Sequence, residues 1–334
     1  MKFDIFNEKK LERLLNLQLE KEIDFEKRIN WNLGIDITKP FLPLFDALDF
    51  LNFKCIEEKL ALSQLMGLIV AATISELEIV ANTLKIPCFD NIFNKYPVNP
   101  EMHALGEQFF KEEKKHAKAF QKYIDTFANT VNIEPKTLKE FLPSTQNSKI
   151  IRGLYKLNAN AGGMALWWLV AAVEEESILI YKHLNSAKGT CDPLYEEIHR
   201  CHFEEEVRHK SYACMMIELV NQISKKPNTL LLKRIDFLMA ETLNISWTFK
   251  ELLKARKLKN LKNHHPFFFH ISNVLERMDS YRPLDLIEII FNQSPYISSA
   301  LHMSENSHIK DLLNRHHSIK IPLPTYQKNL IGRV

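Results

Sequence analysis

The sequence predicts an all-α protein built around a core bundle of four long helices. The chain of 334 residues contains only 8 glycines but 21 phenylalanines, and no segment shows the strict alternation of apolar and polar residues that marks a strand. Few glycines argue against many tight turns and against glycine-rich phosphate loops. An apolar share of 46% and a charged share of 25% indicate a soluble chain with a sizeable core.

Helical periodicity and end signals delimit the four core helices. The second and fourth begin with a proline, which suits the first position of a helix. We expect the four helices at about residues 56–84, 100–130, 161–184 and 193–222. Segments rich in Pro, Asn, Ser and Thr predict connectors between them at 87–98, 132–148 and 185–192.

Additional helices are predicted at both ends of the chain. Residues 3–29 show helical periodicity, and residues 31–43, with two prolines, indicate an extended connector. Residues 223–334 are expected to form accessory helices and a loose tail. We therefore predict a single domain over residues 1–334, with its core at about 56–222.

Charge and cysteine usage exclude several classes of function. The net charge of +3 is too small to indicate a nucleic-acid partner or an acidic membrane partner. The longest apolar stretch, 161–173, is shorter than the roughly 20 residues that span a bilayer. Five scattered cysteines without a CxxC pair fit a reducing compartment, and the N-terminus has no apolar signal core. We expect a cytoplasmic protein.

The fourth core helix carries the strongest chemical signal. Its segment from His202 to His209 has the spacing H-x3-E-x2-H, with Glu206 between the two histidines. Because a helix turns about 100° per residue, these three side chains form one stripe along a single face. Two imidazoles and a carboxylate on one stripe suit a first-row transition metal.

The second core helix carries a matching pair, Glu113 and His116. Spaced at i and i+3, the two side chains share a face and are able to bind one ion together. The E-x-x-H pattern alone is weak, since it recurs at Glu196–His199 and Glu305–His308. Two copies on long helices, each preceded by an apolar helix containing glutamates, are a much more specific signal.

Glutamates within the first and third core helices complete the predicted site. Residues 70–80 and 170–180 resemble each other as a weak internal repeat, which aligns Glu76 with Glu176. Both have mainly apolar neighbours at helical spacing, and a lone carboxylate on such a face costs several kcal/mol unless it is paired or metal-bound. We prefer Glu76 to Glu78, and Glu176 to Glu175.

The predicted ligand set suits two metal ions close together. Mixed carboxylate and imidazole ligands favour Fe or Mn over Zn, whose structural sites are usually rich in thiolates. Two of the carboxylates would bridge the ions. The seven predicted ligands are Glu76, Glu113, His116, Glu176, His202, Glu206 and His209.

These residues resemble those of the ferritin-like di-iron carboxylate proteins. The additional His202 narrows the resemblance to the p-aminobenzoate N-oxygenase family, whose centre has three histidines and four carboxylates. The order of the motifs matches that family, and the connector from Trp31 to Pro43 is similar to its lead-in segment. The resemblance covers about residues 31–220.

The resemblance implies a ferritin-like fold and an oxygenase activity. In such proteins a reduced pair of iron ions binds O2 as a peroxo-bridged diferric species, which oxidises an arylamine through the hydroxylamine towards a nitroso or nitro product. Other relatives hydroxylate carbon. It also implies a small-molecule substrate, an electron donor protein or other reductant, and a possible homodimer.

Two rival functions have less support. The small subunits of ribonucleotide reductase usually carry a radical tyrosine four residues after the histidine of the first E-x-x-H motif, where this chain has Phe120, and Tyr123 is three residues further on. An iron-binding or ferroxidase-type protein without an organic substrate would leave residues 228–334 unexplained. A metal-free helical scaffold would leave Glu76 and Glu176 unpaired in a core.

Overall fold

The structure, a computed structural model, describes residues 8–44, 51–144, 149–223, 235–236, 238–240 and 256–280. All regular elements in these ranges are helical, so the prediction of an all-α, ferritin-like fold is confirmed. The tail predicted at the C-terminus, together with Glu305 and His308, lies outside the described residues.

The α-helices of the described part are numbered here in chain order. Short 3-10 turns at Trp31–Leu33 and Arg256–Leu261 and a π-turn at Ile86–Asp90 accompany them. The helices are α1 (Glu8–Glu20), α2 (Phe25–Arg28), α3 (Ile56–Thr83), α4 (Asn91–Lys95), α5 (Pro100–Thr130), α6 (Pro135–Lys139), α7 (Lys149–Asn160), α8 (Ala165–Ser186), α9 (Pro193–Ile223) and α10 (Pro266–Met278).

The four predicted core helices are α3, α5, α8 and α9. The bounds of α5 match the prediction, and those of α3 and α9 differ from it by one residue. Helix α8 begins four residues later than expected, because the chain turns at Gly162, whose φ of 85° is in the left-handed region that favours glycine. The segments 87–98 and 132–148, which were predicted as connectors, contain the short helices α4 and α6.

The N-terminal segment is two helices, where the sequence suggested one. Asp24 begins the second helix, because its carboxylate accepts hydrogen bonds from the backbone N–H groups of Glu26 and Lys27. Both α1 and α2 lie against α5 and α9. The N-terminal segment therefore covers one side of the bundle.

Asp192 fixes the start of α9 and joins it to the rest of the molecule. Its buried carboxylate accepts from the backbone N–H of Tyr195, which caps the helix, and from the backbone N–H of Asp36, both at 2.8 Å. It also accepts from the Tyr123 hydroxyl on α5 at 3.2 Å. Asp192 thus connects the segment before α3 with the two core helices α5 and α9.

The core helices pack as two pairs, α3 with α5 and α8 with α9. Helix α3 is long and apolar enough to cross a membrane by length and composition, but 61% of its most apolar window is buried inside the protein. Helix α10 packs on α3, where Arg277 contacts both oxygens of the buried Glu58 at 3.2 and 2.5 Å. This helix belongs to the accessory helices predicted after the core.

Two apolar layers fill the bundle, and polar residues lie at their boundary. On α5, Phe110 belongs to one layer and Phe120 to the other. On α9, Cys201 and Tyr212 mark the same two layers. The glutamates and histidines of the predicted motifs lie between these positions, in the interior of the bundle.

Candidate metal centre

Seven buried side chains from all four core helices converge at the boundary between the apolar layers. Each is at most 5% exposed. In two overlapping sets of four, the possible ligand atoms all lie within 4.8 Å of one another, and both sets contain His116 and Glu206. The seven are Glu78 on α3, Glu113 and His116 on α5, Glu174 on α8, and His202, Glu206 and His209 on α9.

Glu206 lies at the middle of the cluster. Its Oε1 is 3.0 Å from His116 Nδ1 and 2.7 Å from His202 Nε2, whereas its Oε2 is 3.2 Å from His209 Nδ1. The two oxygens of one carboxylate therefore face different histidines. This is the arrangement expected of a carboxylate that bridges two ions.

Several buried atoms in the cluster approach each other without making hydrogen bonds. His209 Nδ1 lies 2.9 Å from Glu113 Oε1, yet neither atom has a hydrogen-bond partner. The same holds for His116 Nδ1 and both oxygens of Glu206. Because buried polar atoms are nearly always satisfied, a set of unsatisfied nitrogen and oxygen atoms aimed at one space fits a cation shared between them.

The pKa values indicate a surplus of buried negative charge. Burial, together with the charges of Glu113 and Glu206, raises the pKa of Glu78 well above its ordinary value. Burial and the same two carboxylates also raise the pKa of Glu174 well above its ordinary value. Two divalent cations would compensate this repulsion, so the residues present fit a pair of metal ions.

Two further carboxylates hold the outer nitrogens of two histidines. His116 Nε2 lies 2.6 Å from Glu205 Oε2, and His209 Nε2 lies 2.7 Å from Glu112 Oε2. Each glutamate comes from the helix opposite its histidine. Because the outer nitrogen of each ring donates to a carboxylate, the lone pair of Nδ1 is left for an ion.

The N-terminal segment completes the hydrogen bonds of these outer carboxylates. The side-chain amide of the buried Gln18 donates to Glu112 Oε2 at 2.9 Å. The backbone N–H of Ile23 donates to Glu205 Oε1 at 2.8 Å, and Lys115 Nζ lies 2.9 Å from the same oxygen. The histidine side of the centre is thereby closed by α1 and the loop after it.

Charge pairing between Glu205 and His116 shifts both pKa values. Burial disfavours the charged imidazole of His116, but Glu205 and Glu206 outweigh this effect and raise its pKa to about 9. Burial likewise disfavours the Glu205 carboxylate, but His116 and Lys115 lower its pKa to about 2. Glu205 is therefore ionised at neutral pH.

The structure brings together five of the seven residues predicted as ligands, namely Glu113, His116, His202, Glu206 and His209. On the first and third core helices the prediction needs correction. Glu76 is only half-buried, and Glu78, two residues further on, joins the cluster in its place. Two residues correspond to about 200° around a helix, so the two glutamates point to opposite sides.

On α8 the structure places Glu174 at the cluster, which neither Glu176 nor the alternative Glu175 reaches. Glu175 pairs with Lys210 Nζ at 2.5 Å. Burial raises the pKa of Glu176 to about 8, although no charged neighbour contributes to that shift. The carboxyl group of Glu176 is therefore desolvated, but it lies away from the metal centre.

Sequence reasoning missed the outer carboxylates, although a signal was present. Glu112 and Glu205 each precede a predicted ligand in the repeated pattern E-E-x-x-H, at 112–116 and 205–209. His199, one turn before His202, lies outside the cluster and packs against the rings of Tyr195 and Phe120.

Residues 88–251 match the family model described as P-aminobenzoate N-oxygenase AurF. This range contains six of the seven clustered residues and both outer carboxylates, whereas Glu78 and the N-terminal segment precede it. No curated protein and no solved structure shows a significant match to the chain. The family match over residues 88–251 and the motifs therefore point to the same family, the p-aminobenzoate N-oxygenases.

Proposed function

We propose that the protein is a non-haem di-iron oxygenase that uses O2 and an external reductant to oxidise a small organic substrate. The convergence of four carboxylates and three histidines in the buried cluster supports this proposal. A pair of iron ions bound there would supply electrons to O2. Arylamine N-oxygenation is the finer form of the proposal, and it rests on the family match.

The protein's own residues would control the environment of this chemistry. The outer carboxylates Glu112 and Glu205 keep a proton on the Nε2 atoms of His209 and His116 and so orient both rings. The apolar layers on either side exclude water from the centre. Phe25 adds to this exclusion, because its buried ring lies 5.2 Å from the His116 ring.

The geometry gives no support to a tyrosyl radical site like that of ribonucleotide reductase. The ring of Phe120 on α5 lies 5.0 Å from the ring of His202. Tyr123 is buried one turn further on, and its hydroxyl donates to Asp192. This tyrosine belongs to the network that fixes the start of α9.

Metal analysis and rapid mixing with O2 test the proposal. We expect close to two iron ions per chain and a transient visible absorption when the reduced protein meets O2. An iron content far above two would indicate a storage protein, and two ions without any reaction with O2 would exclude an oxygenase. Manganese loading under the same conditions distinguishes the two candidate metals.

His202→Ala tests the residue that points to this family. We expect lower iron occupancy or a shorter-lived absorbing species, because His202 Nε2 faces both Glu78 and Glu206. His199→Ala, one turn earlier, is the matched control, since it removes an equally buried imidazole outside the cluster. Equal iron content and O2 reactivity in the two variants would remove His202 from the centre.

A further inference from the structure

A small cavity lies beside the metal centre, between α3 and α8. Its volume is about 20 Å³, and it is lined by eight aliphatic side chains, one serine and three carboxylates. The carboxylates are Glu78, Glu113 and Glu174, which belong to the centre itself. None of the three histidines of the centre is among the residues that line the cavity.

This cavity reaches the carboxylate side of the centre from the boundary between α3 and α8. Leu77 and Val173, which line it from the two helices, are only half-buried. Helices α3 and α8 make few contacts with each other, whereas each packs closely on its own partner helix. The present volume admits about one water molecule, so a larger ligand would have to displace aliphatic side chains at this boundary.

No basic side chain lines the cavity among the described residues. Four carboxylates balance the charge of two divalent cations, so a fully loaded centre has no surplus positive charge to attract an anion. An anionic group in this cavity would lose its hydration without gaining a charge partner.

We propose that the substrate binds between α3 and α8 through an uncharged, apolar group, and that arylamines carrying a carboxylate are poor substrates. This inference rests on the proposed oxygenase function, whose family is described by a substrate that carries a carboxylate. The distinction arises from the walls of the cavity in this chain. The preferred class is therefore a neutral arene or arylamine.

A matched pair of ligands tests this inference without O2 chemistry. The full chain is loaded with Co(II), and its visible spectrum is titrated with p-toluidine and with p-aminobenzoate, which differ by a methyl group in place of a carboxylate. We expect p-toluidine to bind about 100-fold more tightly. Equal affinity, tighter binding of p-aminobenzoate, or the absence of any spectral change with p-toluidine would overturn the inference.

A variant with a positive charge at the cavity provides a second test. Val173→Lys is expected to raise the affinity for p-aminobenzoate relative to p-toluidine about tenfold, because its ammonium group pairs with the carboxylate. Val173→Met, which is similarly long but uncharged, should leave the ratio unchanged. An unchanged ratio in Val173→Lys would show that the ligands bind elsewhere, which also overturns the inference. Failure of the iron-loaded protein to react with O2 would instead reject the proposed function.

Discussion

Replacing Glu205 with glutamine should weaken metal binding without removing a ligand. The buried carboxylate accepts from His116 Nε2 at 2.6 Å, from the Ile23 backbone N–H at 2.8 Å and from Lys115 Nζ at 2.9 Å. Glutamine keeps the size of the side chain but has only one acceptor oxygen. Either His116 or the other two donors would then face an amide N–H group.

Two estimates agree on the size of this effect. A hydrogen bond to a charged group contributes about 1.5–3 kcal/mol. Loss of an outer partner of a metal-bound histidine typically lowers metal affinity about 10- to 100-fold, or about 1.4–2.8 kcal/mol. We therefore expect a loss in this range for Glu205→Gln.

Anaerobic titration of Fe(II) against a competing chelator measures the affinity directly. Glu204→Gln is the matched control, because its side chain is 42% exposed and pairs with Arg200 on the protein surface. Circular dichroism checks that both variants are folded. Wild-type affinity in a folded Glu205→Gln variant would refute the view that this carboxylate orients His116.

Two further predictions concern the glutamates that sequence and structure assign differently. Alanine at Glu78 or Glu174 should lower the metal content below two ions per chain, whereas alanine at Glu76 or Glu176 should leave it unchanged; metal analysis of the four variants decides between the two assignments. Glu176→Gln should raise the free energy of unfolding in urea above pH ~8 by a few kcal/mol and have little effect below pH ~4.5, because burial raises the folded pKa from 4.5 to about 8. Stability associated with Glu176 is thus lost as the pH rises through this window, and an unchanged stability of the variant above pH ~8 would contradict the burial of this carboxyl.

The ligands on α5 and α9 could be predicted because each of these helices has a polar face and an apolar face. On such a helix, residues spaced by three, four or seven positions share a face whatever the helix packs against. His202, Glu206 and His209 therefore met each other in the structure as the spacing required. The order of the motifs along the chain then indicated the family whose model matches residues 88–251.

The ligands on α3 and α8 could not be chosen in the same way. Apolar residues surround both helices, so apolar neighbours at helical spacing do not distinguish the face that meets the centre from a face that meets another helix. The weak internal repeat reinforced the error, since it aligned Glu76 with Glu176, whereas the clustered pair is Glu78 and Glu174. Tertiary packing alone decided between carboxylates two residues apart.

The groups of the N-terminal segment that donate hydrogen bonds to Glu112 and Glu205 could not be predicted from the sequence. Gln18 and Glu112 are 94 residues apart, and Ile23 and Glu205 are 182 apart. One of these donors is a backbone N–H group, which every residue except proline has, so the residue type does not reveal it. The centre therefore depends on a segment that precedes every ligand and the whole family match. Each outer carboxylate comes from the helix opposite its histidine and accepts a further hydrogen bond from α1 or the following loop. The N-terminal segment therefore helps to fix the two carboxylates that orient the imidazoles.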